Sequence, residues 1–208
     1  MRFAVDAWDP EYGSATNGRA LVESDVPTQI EAEVPAAAWA PRAVPATVTP
    51  PPTLLVVDGV RRIEARVWVV GDEPGRMHQG ICASYAAGAV RCDGKATVVA
   101  TEVRRGLFCA APEAQPILTR HGEFRLTAVA DEGLDALSLA LQQKMGDLEV
   151  AVAVSAAAGQ TDEPVLVDGP LRQHRQLPAA VGYIKSQHRS YGPPVVSATV
   201  AALDAGQR

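Results

Sequence analysis

Two aspartates 110 positions apart stand in the same setting, each closing an apolar run and each followed by glycine: Leu54-Leu55-Val56-Val57-Asp58-Gly59 and Val165-Leu166-Val167-Asp168-Gly169. Short apolar runs rich in β-branched residues and bounded by turn formers predict buried strands, and a strand that ends in an acid presents it at a sheet edge. One Asp-Gly after a strand is most often only a turn. A matched pair, each with an arginine two or three residues beyond the glycine (Arg61 and Arg172), predicts one shared site. Glu149 offers a third carboxylate. Three such groups brought together repel one another, and their hard oxygens suit Mg²⁺ or Mn²⁺, so the expected ligand set is Asp58, Glu149 and Asp168. Two such ions about 3.5–4 Å apart can hold one phosphodiester and activate a water against it, which makes phosphoryl hydrolysis the chemistry in view.

The elements that must position these groups follow from the flanking pattern. After Asp58, Ile63, Ala65, Val67 and Val69 alternate with Arg62, Glu64, Arg66 and Trp68, the period of a half-buried strand, with Gly59-Val60 short enough for a hairpin. Asp72-Glu73-Pro74-Gly75 and Asp93-Gly94 are turn signals that separate further strands over 80–90 and 97–103, and 124–129 reads as one more. From Leu134 to Ala158 the apolar positions Leu134, Leu137, Leu141, Met145, Leu148 and Val152 recur at three- and four-residue steps, predicting a long helix on the sheet. Glu149 falls at the rim of that stripe, facing the sheet edge, and Asp147 falls opposite. A strand over 165–168, a helix from about 178 to 189, the turn Gly192-Pro193-Pro194 and an apolar stretch over 195–203 complete the chain. Residues 1–49, rich in Pro and Ala, read as an irregular arm laid on the domain formed by 50–208, with Trp8 and Trp39 as anchors.

Antiparallel strands, a long helix, then a strand returning beside the first is the order of a ribonuclease H-like α/β domain, a mixed sheet with flanking helices. That order would place Asp58 and Asp168 on neighbouring strands with Glu149 above them.

Composition narrows the function classes. A net charge of −5 argues against a protein that coats nucleic acid, yet 169–203 holds no Asp or Glu while carrying Arg172, Arg175, Lys185 and Arg189. This stretch is expected to grip a phosphate backbone through Arg172, Arg175 and Lys185. Neither a signal peptide nor a membrane span is apparent, so cytoplasmic residence is expected. Cys82, Cys92 and Cys109 lack metal or disulfide spacing and are expected to be inert, and His78, His121 and His174 to lie on the surface. Arg104 and Arg105 read as ordinary solvent-facing charges. A phosphatase with an aspartyl nucleophile would want a second Asp where Val60 stands, and a sugar-kinase-like fold would want glycine-rich phosphate loops.

The chain resembles the NurA family of nucleases. Leu54 to Gly59 looks like that family's first acidic motif, with Val60 where members commonly have Ser. Val165-Leu166-Val167-Asp168-Gly169-Pro170-Leu171 with Val181-Gly182-Tyr183-Ile184-Lys185-Ser186 is similar to the second, more distinctive one. Trp8-Asp9-Pro10-Glu11-Tyr12-Gly13 resembles the start of actinobacterial members. The resemblance implies a ribonuclease H-like fold, Mn²⁺-dependent DNA cleavage with 5′ to 3′ resection in repair, homodimerisation and a HerA-type hexameric translocase as partner. Asp58 and Asp168 match the metal-binding aspartates, Glu149 the helix-borne glutamate, and Lys185 lies in the lysine-containing segment. Family members run on for a further strand and helix, so the chain is expected to be C-terminally incomplete. The alternative is an inactive NurA-like module that binds DNA or the translocase.

Overall fold

The computed structural model describes residues 2–6, 22–23, 31, 34–73, 75–159, 163–169, 171, 177, 179–183, 189–190 and 193–208. Trp8, Arg172, His174, Arg175 and Lys185 lie outside them. The chain divides into two compact units, one of 1–13 and 52–183 and one of 14–51 and 184–208.

The first unit is a mixed α/β layer. Its strands are β1 (Arg2–Asp6), β3 (Leu54–Val70), β4 (Met77–Cys92), β5 (Ala96–Cys109), β6 (Ile117–Thr119), β7 (Gly122–Ala128), β8 (Val165–Asp168) and β9 (Ala180–Tyr183), with helix α1 (Leu134–Ala157) after β7. The sheet runs β6-β7-β5-β4-β3-β8-β9, and β1 pairs antiparallel with the far half of β3. The β3-β4-β5 meander is antiparallel, whereas β8 and β9 lie parallel to β3 and to each other. Turns at Gly75 (φ +81) and Gly94 (φ +83) join the long strands, using the left-handed backbone that glycine adopts without strain.

Two cores occupy the two faces of this sheet, and one residue divides them. Leu55 and Val57 bury against α1 with Ala83, Tyr85, Leu137, Leu141 and Leu148. Val67 and Val69 bury with Cys82, Leu107, Cys109 and Ile117 in a separate cluster. All four β3 residues are odd-numbered, so simple alternation would leave them on one face. Pairing passes from Ile63↔Ala83 to Ala65↔Cys82, which makes Glu64 a β-bulge that turns the second half of β3 over.

The second unit contains β2 (Val22–Glu23) paired parallel with β10 (Arg189–Ser190), and helix α2 (Pro194–Ala201). Arg42 and Arg208 exchange backbone hydrogen bonds of 3.0 and 2.9 Å. Proline opens α2, where its missing N–H costs the helix nothing. No helix among the described residues is long and apolar enough to cross a membrane.

Most of the expected strands and α1 are present, and four expectations are corrected. Gly59-Val60 makes no hairpin: β3 runs through it for 17 residues because both positions pair with β4, at Ala87 and Ala86. The arm is not wholly irregular, since 2–6 satisfies its backbone on β3. His78 is buried, its Nδ1 3.0 Å from Glu132 Oε2, because β4 carries it beside Val69 at the rim of the second core. In place of a helix over 178–189, the described residues form β9 and β10. Val181 and Tyr183 suit a strand, and Gly182 lets the neighbouring chain approach as a bulkier residue would not.

A Cβ at Gly182 would meet the Gly169 carbonyl oxygen at 2.6 Å. Gly182→Ala is therefore expected to cost about 1–3 kcal/mol in urea unfolding. An unchanged midpoint would show that β9 is not packed against Gly169 and Leu171.

Candidate metal centre

The register of β3 and β8 brings the two aspartates together. Leu55, Val56 and Val57 pair in parallel with Val165, Leu166 and Val167, so the next residues, Asp58 and Asp168, emerge on adjacent strands spaced about 4.8 Å apart. Both are exposed. Gly59 N–H donates to Asp58 Oδ1 at 2.8 Å, which orients that carboxylate at the backbone. Gly169 follows Asp168 at φ +94, and its N–H donates to the Tyr183 carbonyl at 2.8 Å, turning the chain away immediately after the acid.

Glu149 comes from α1 onto the face of β3 that carries Leu55, Val57 and Gly59, whereas strand alternation turns Asp58 and Asp168 toward the other face of the sheet edge. Glu149 is only 9% exposed, and its carboxyl lies directly over Gly59. A Cβ on Gly59 would overlap Glu149 Oε1 and come within 3.0 Å of both Glu149 Cδ and Met145 Cγ. Gly59 is in the strand ladder without a positive φ, so its role is to make room for the helix-borne acid. Burial pushes the Glu149 carboxyl up from 4.5 to about 7, and the charges of Asp58 and Asp168 push in the same direction. Asp58 and Asp168 thus lie near enough for their charges to act on Glu149.

Arg61 is exposed on β3, two residues beyond Gly59, opposite Tyr85. Asp147, expected on the far side of α1, is exposed and pairs with Lys144 at 3.6 Å. Burial, and next the neighbouring Cys109, raises the Cys82 thiol to about 11, and burial also raises Cys109. Both therefore remain protonated and inert at neutral pH. The hairpin expected at Gly59-Val60 is absent, and a glycine inside a run of strand formers instead marks the close approach of another element.

By residue type the three carboxylates suit a hard divalent cation, with no soft ligand beside them. Among the described residues, no three His, Cys, Asp or Glu side chains are already drawn into ion-holding distance. Among known proteins, the chain matches no family model, and no curated sequence matches it significantly.

Two outcomes are expected of the cation-free protein. Gly59→Ala should displace the Glu149 carboxyl and lower stability by about 1–3 kcal/mol in denaturant titration, and a neutral effect would mean that α1 is not seated on β3. The folded protein keeps a proton on Glu149 that the unfolded chain releases near 4.5, so stability should fall as pH rises from about 4.5 to about 7 and stay reduced above it. Glu149→Gln removes that penalty, and in chelator it should be more stable than wild type by about 1–3 kcal/mol near pH 8 and equal to it near pH 4. Calorimetry at the two pH values checks this, and a pH-independent difference would separate Glu149 from the aspartates.

Proposed function

We propose that this chain is a metal-dependent DNA nuclease on a ribonuclease H-like core, related to the NurA nucleases and acting in end resection during repair. The observation that carries the reading is the register that sets Asp58 and Asp168 side by side on β3 and β8, with their charges felt by Glu149 on α1. The order of elements supports it as well: a three-stranded antiparallel meander, a helix, then two parallel strands added on the free edge of the first strand. Mn²⁺ or Mg²⁺ would be held by Asp58, Glu149 and Asp168. When bound, the ion supplies Lewis acidity toward a phosphodiester oxygen and a water of lowered pKa.

The chain's own groups divide the remaining work. Asp58 and Asp168 present outward oxygens on rigid strands, which fixes where a phosphate must sit. Glu149 holds its proton below about pH 7 and carries its charge above it, so the cluster's attraction for cations grows across neutrality. Arg61, on the exposed stretch beyond Gly59, is positioned to meet the substrate's negative charge, and Arg172, Arg175 and Lys185 would extend that contact. Homodimerisation, cytoplasmic residence and a HerA-type hexameric translocase as partner belong to the same proposal through the family resemblance. A second reading, an inactive module that binds DNA or the translocase, is favoured by the absence of a closed three-ligand set among the described residues.

Asp58→Asn and Asp168→Asn should each reduce Mn²⁺-dependent degradation of labelled DNA by about 100-fold or more, with circular dichroism unchanged. The same substitutions should abolish the rise in melting temperature that Mn²⁺ gives the wild type. Equal degradation by wild type and both variants removes these residues from the chemistry, and retention of single- or double-stranded DNA without cleavage, in Mn²⁺ and in chelator alike, selects the module.

A further inference from the structure

On the α1 face of the sheet, one strand row away from Gly59 and Glu149, lies a cleft of about 630 Å³. Its position follows from the ladder. Gly59 pairs with Ala87 and Ala87 with Glu102, while the next row on that face is Arg61, Tyr85 and Arg104. Rows on one face of a sheet are about 7 Å apart. Helix α1 continues the link, because Met145 reaches Gly59 and its neighbour Lys144 lines the cleft.

The cleft is cationic on a chain that is acidic as a whole. Arg104, Arg105, Arg125 and Lys144 line it against Glu102 and Glu123, an excess of two positive charges where the molecule carries −5. Several of these charges are paired: Arg104 with Glu102 at 2.7 Å, Arg125 with Glu123 at 3.5 Å and Lys144 with Asp147 at 3.6 Å. The side chains of Arg104, Arg125 and Lys144 are 49%, 84% and 46% exposed. Exposed ion pairs are worth little in water, so a phosphate can replace the carboxylate at small cost and gain the bidentate geometry that guanidinium prefers. Tyr85 and Thr127 add hydroxyl groups to the wall.

We propose that this cleft holds the sugar-phosphate backbone of a nucleic-acid strand running from the Glu149 side of the carboxylate cluster across β3, β4 and β5 toward β7, with Arg104, Arg125 and Lys144 as its phosphate contacts. The inference rests on the reading of that cluster as the cutting end, and it supplies a track on unit-internal residues, separate from the basic 169–203 segment. Its recognition is of backbone charge and is independent of base sequence.

The test is fluorescence anisotropy of a short labelled single-stranded oligodeoxynucleotide with the full chain in chelator. Arg104→Ala/Arg125→Ala should weaken binding by about tenfold and flatten the dependence of log K on log salt by about 1–2, and Lys144→Ala should act in the same direction. Arg76→Ala, in the turn after the far end of β3, serves as the control for net charge and should leave the affinity unchanged. An unaffected double variant, or a loss equal to that of Arg76→Ala, overturns the proposal. Displacement by inorganic phosphate as effective as by unlabelled oligonucleotide, at matched phosphate concentration, also overturns it, because the cleft would then hold a single anion. Chelator separates this outcome from the nuclease reading: cleft-dependent binding without cleavage in Mn²⁺ sinks the nuclease alone, and cleavage without cleft-dependent binding sinks the track alone.

Discussion

A carboxyl group kept out of water against a strand backbone, with two aspartates close enough to oppose its ionisation, sets the terms for the rest of this molecule. Glu149 can occupy that position only because residue 59 has no side chain and because α1 is held tightly to β3 and β4 by Leu137, Leu141 and Leu148. The helix must also have the right phase. A shift of one residue would rotate it by about 100° and carry Glu149 into solvent. Burial by itself disfavours the Glu149 anion, and the neighbouring charges of Asp58 and Asp168 add to the effect.

The sheet supports this arrangement through division of labour along β3. Its first half packs against α1 and presents Asp58, while its second half, turned over by the Glu64 bulge, builds a different core with the 111–117 loop and β7. Two cores on opposite faces anchor both ends of one 17-residue strand. The bidentate pair of Arg91 with Glu163, at 2.8 and 2.9 Å, and the bond from Arg91 to the Ala156 carbonyl tie the end of α1 to β4 just before β8 begins. That clamp fixes where β8 enters the sheet and, through the parallel register, where Asp168 emerges. Rigid strands on both sides suit a site whose groups repel one another, since the repulsion cannot be relaxed by movement of the backbone.

Charge distribution gives the same face a direction. Glu149 lies over Gly59, and Arg104, Arg125 and Lys144 gather along the next rows toward β7. A polyanion approaching a chain of net −5 would be repelled over most of the surface and attracted locally, which concentrates binding where the field changes sign.

The sequence by itself determined much of the local architecture. Alternation marked the strands, the three- and four-residue spacing marked α1 almost to the residue, and Asp58, Glu149 and Asp168 were nameable because apolar runs break abruptly at an acid or carry one at the rim. Gly59 was taken into a hairpin because a glycine that turns the chain and a glycine that admits a neighbour look identical in one dimension, and Gly182 fell inside an expected helix where the structure has a strand. Only the tertiary structure decided between these roles, by placing Glu149 over the first and the Gly169 carbonyl over the second. Contacts that depend on residues 21 to 90 positions apart, such as Lys144 and Arg125 beside Arg104 or Glu149 over Gly59, leave no periodic trace. They exist because strands side by side in the sheet are far apart along the chain, and packing alone sets which charges share a face.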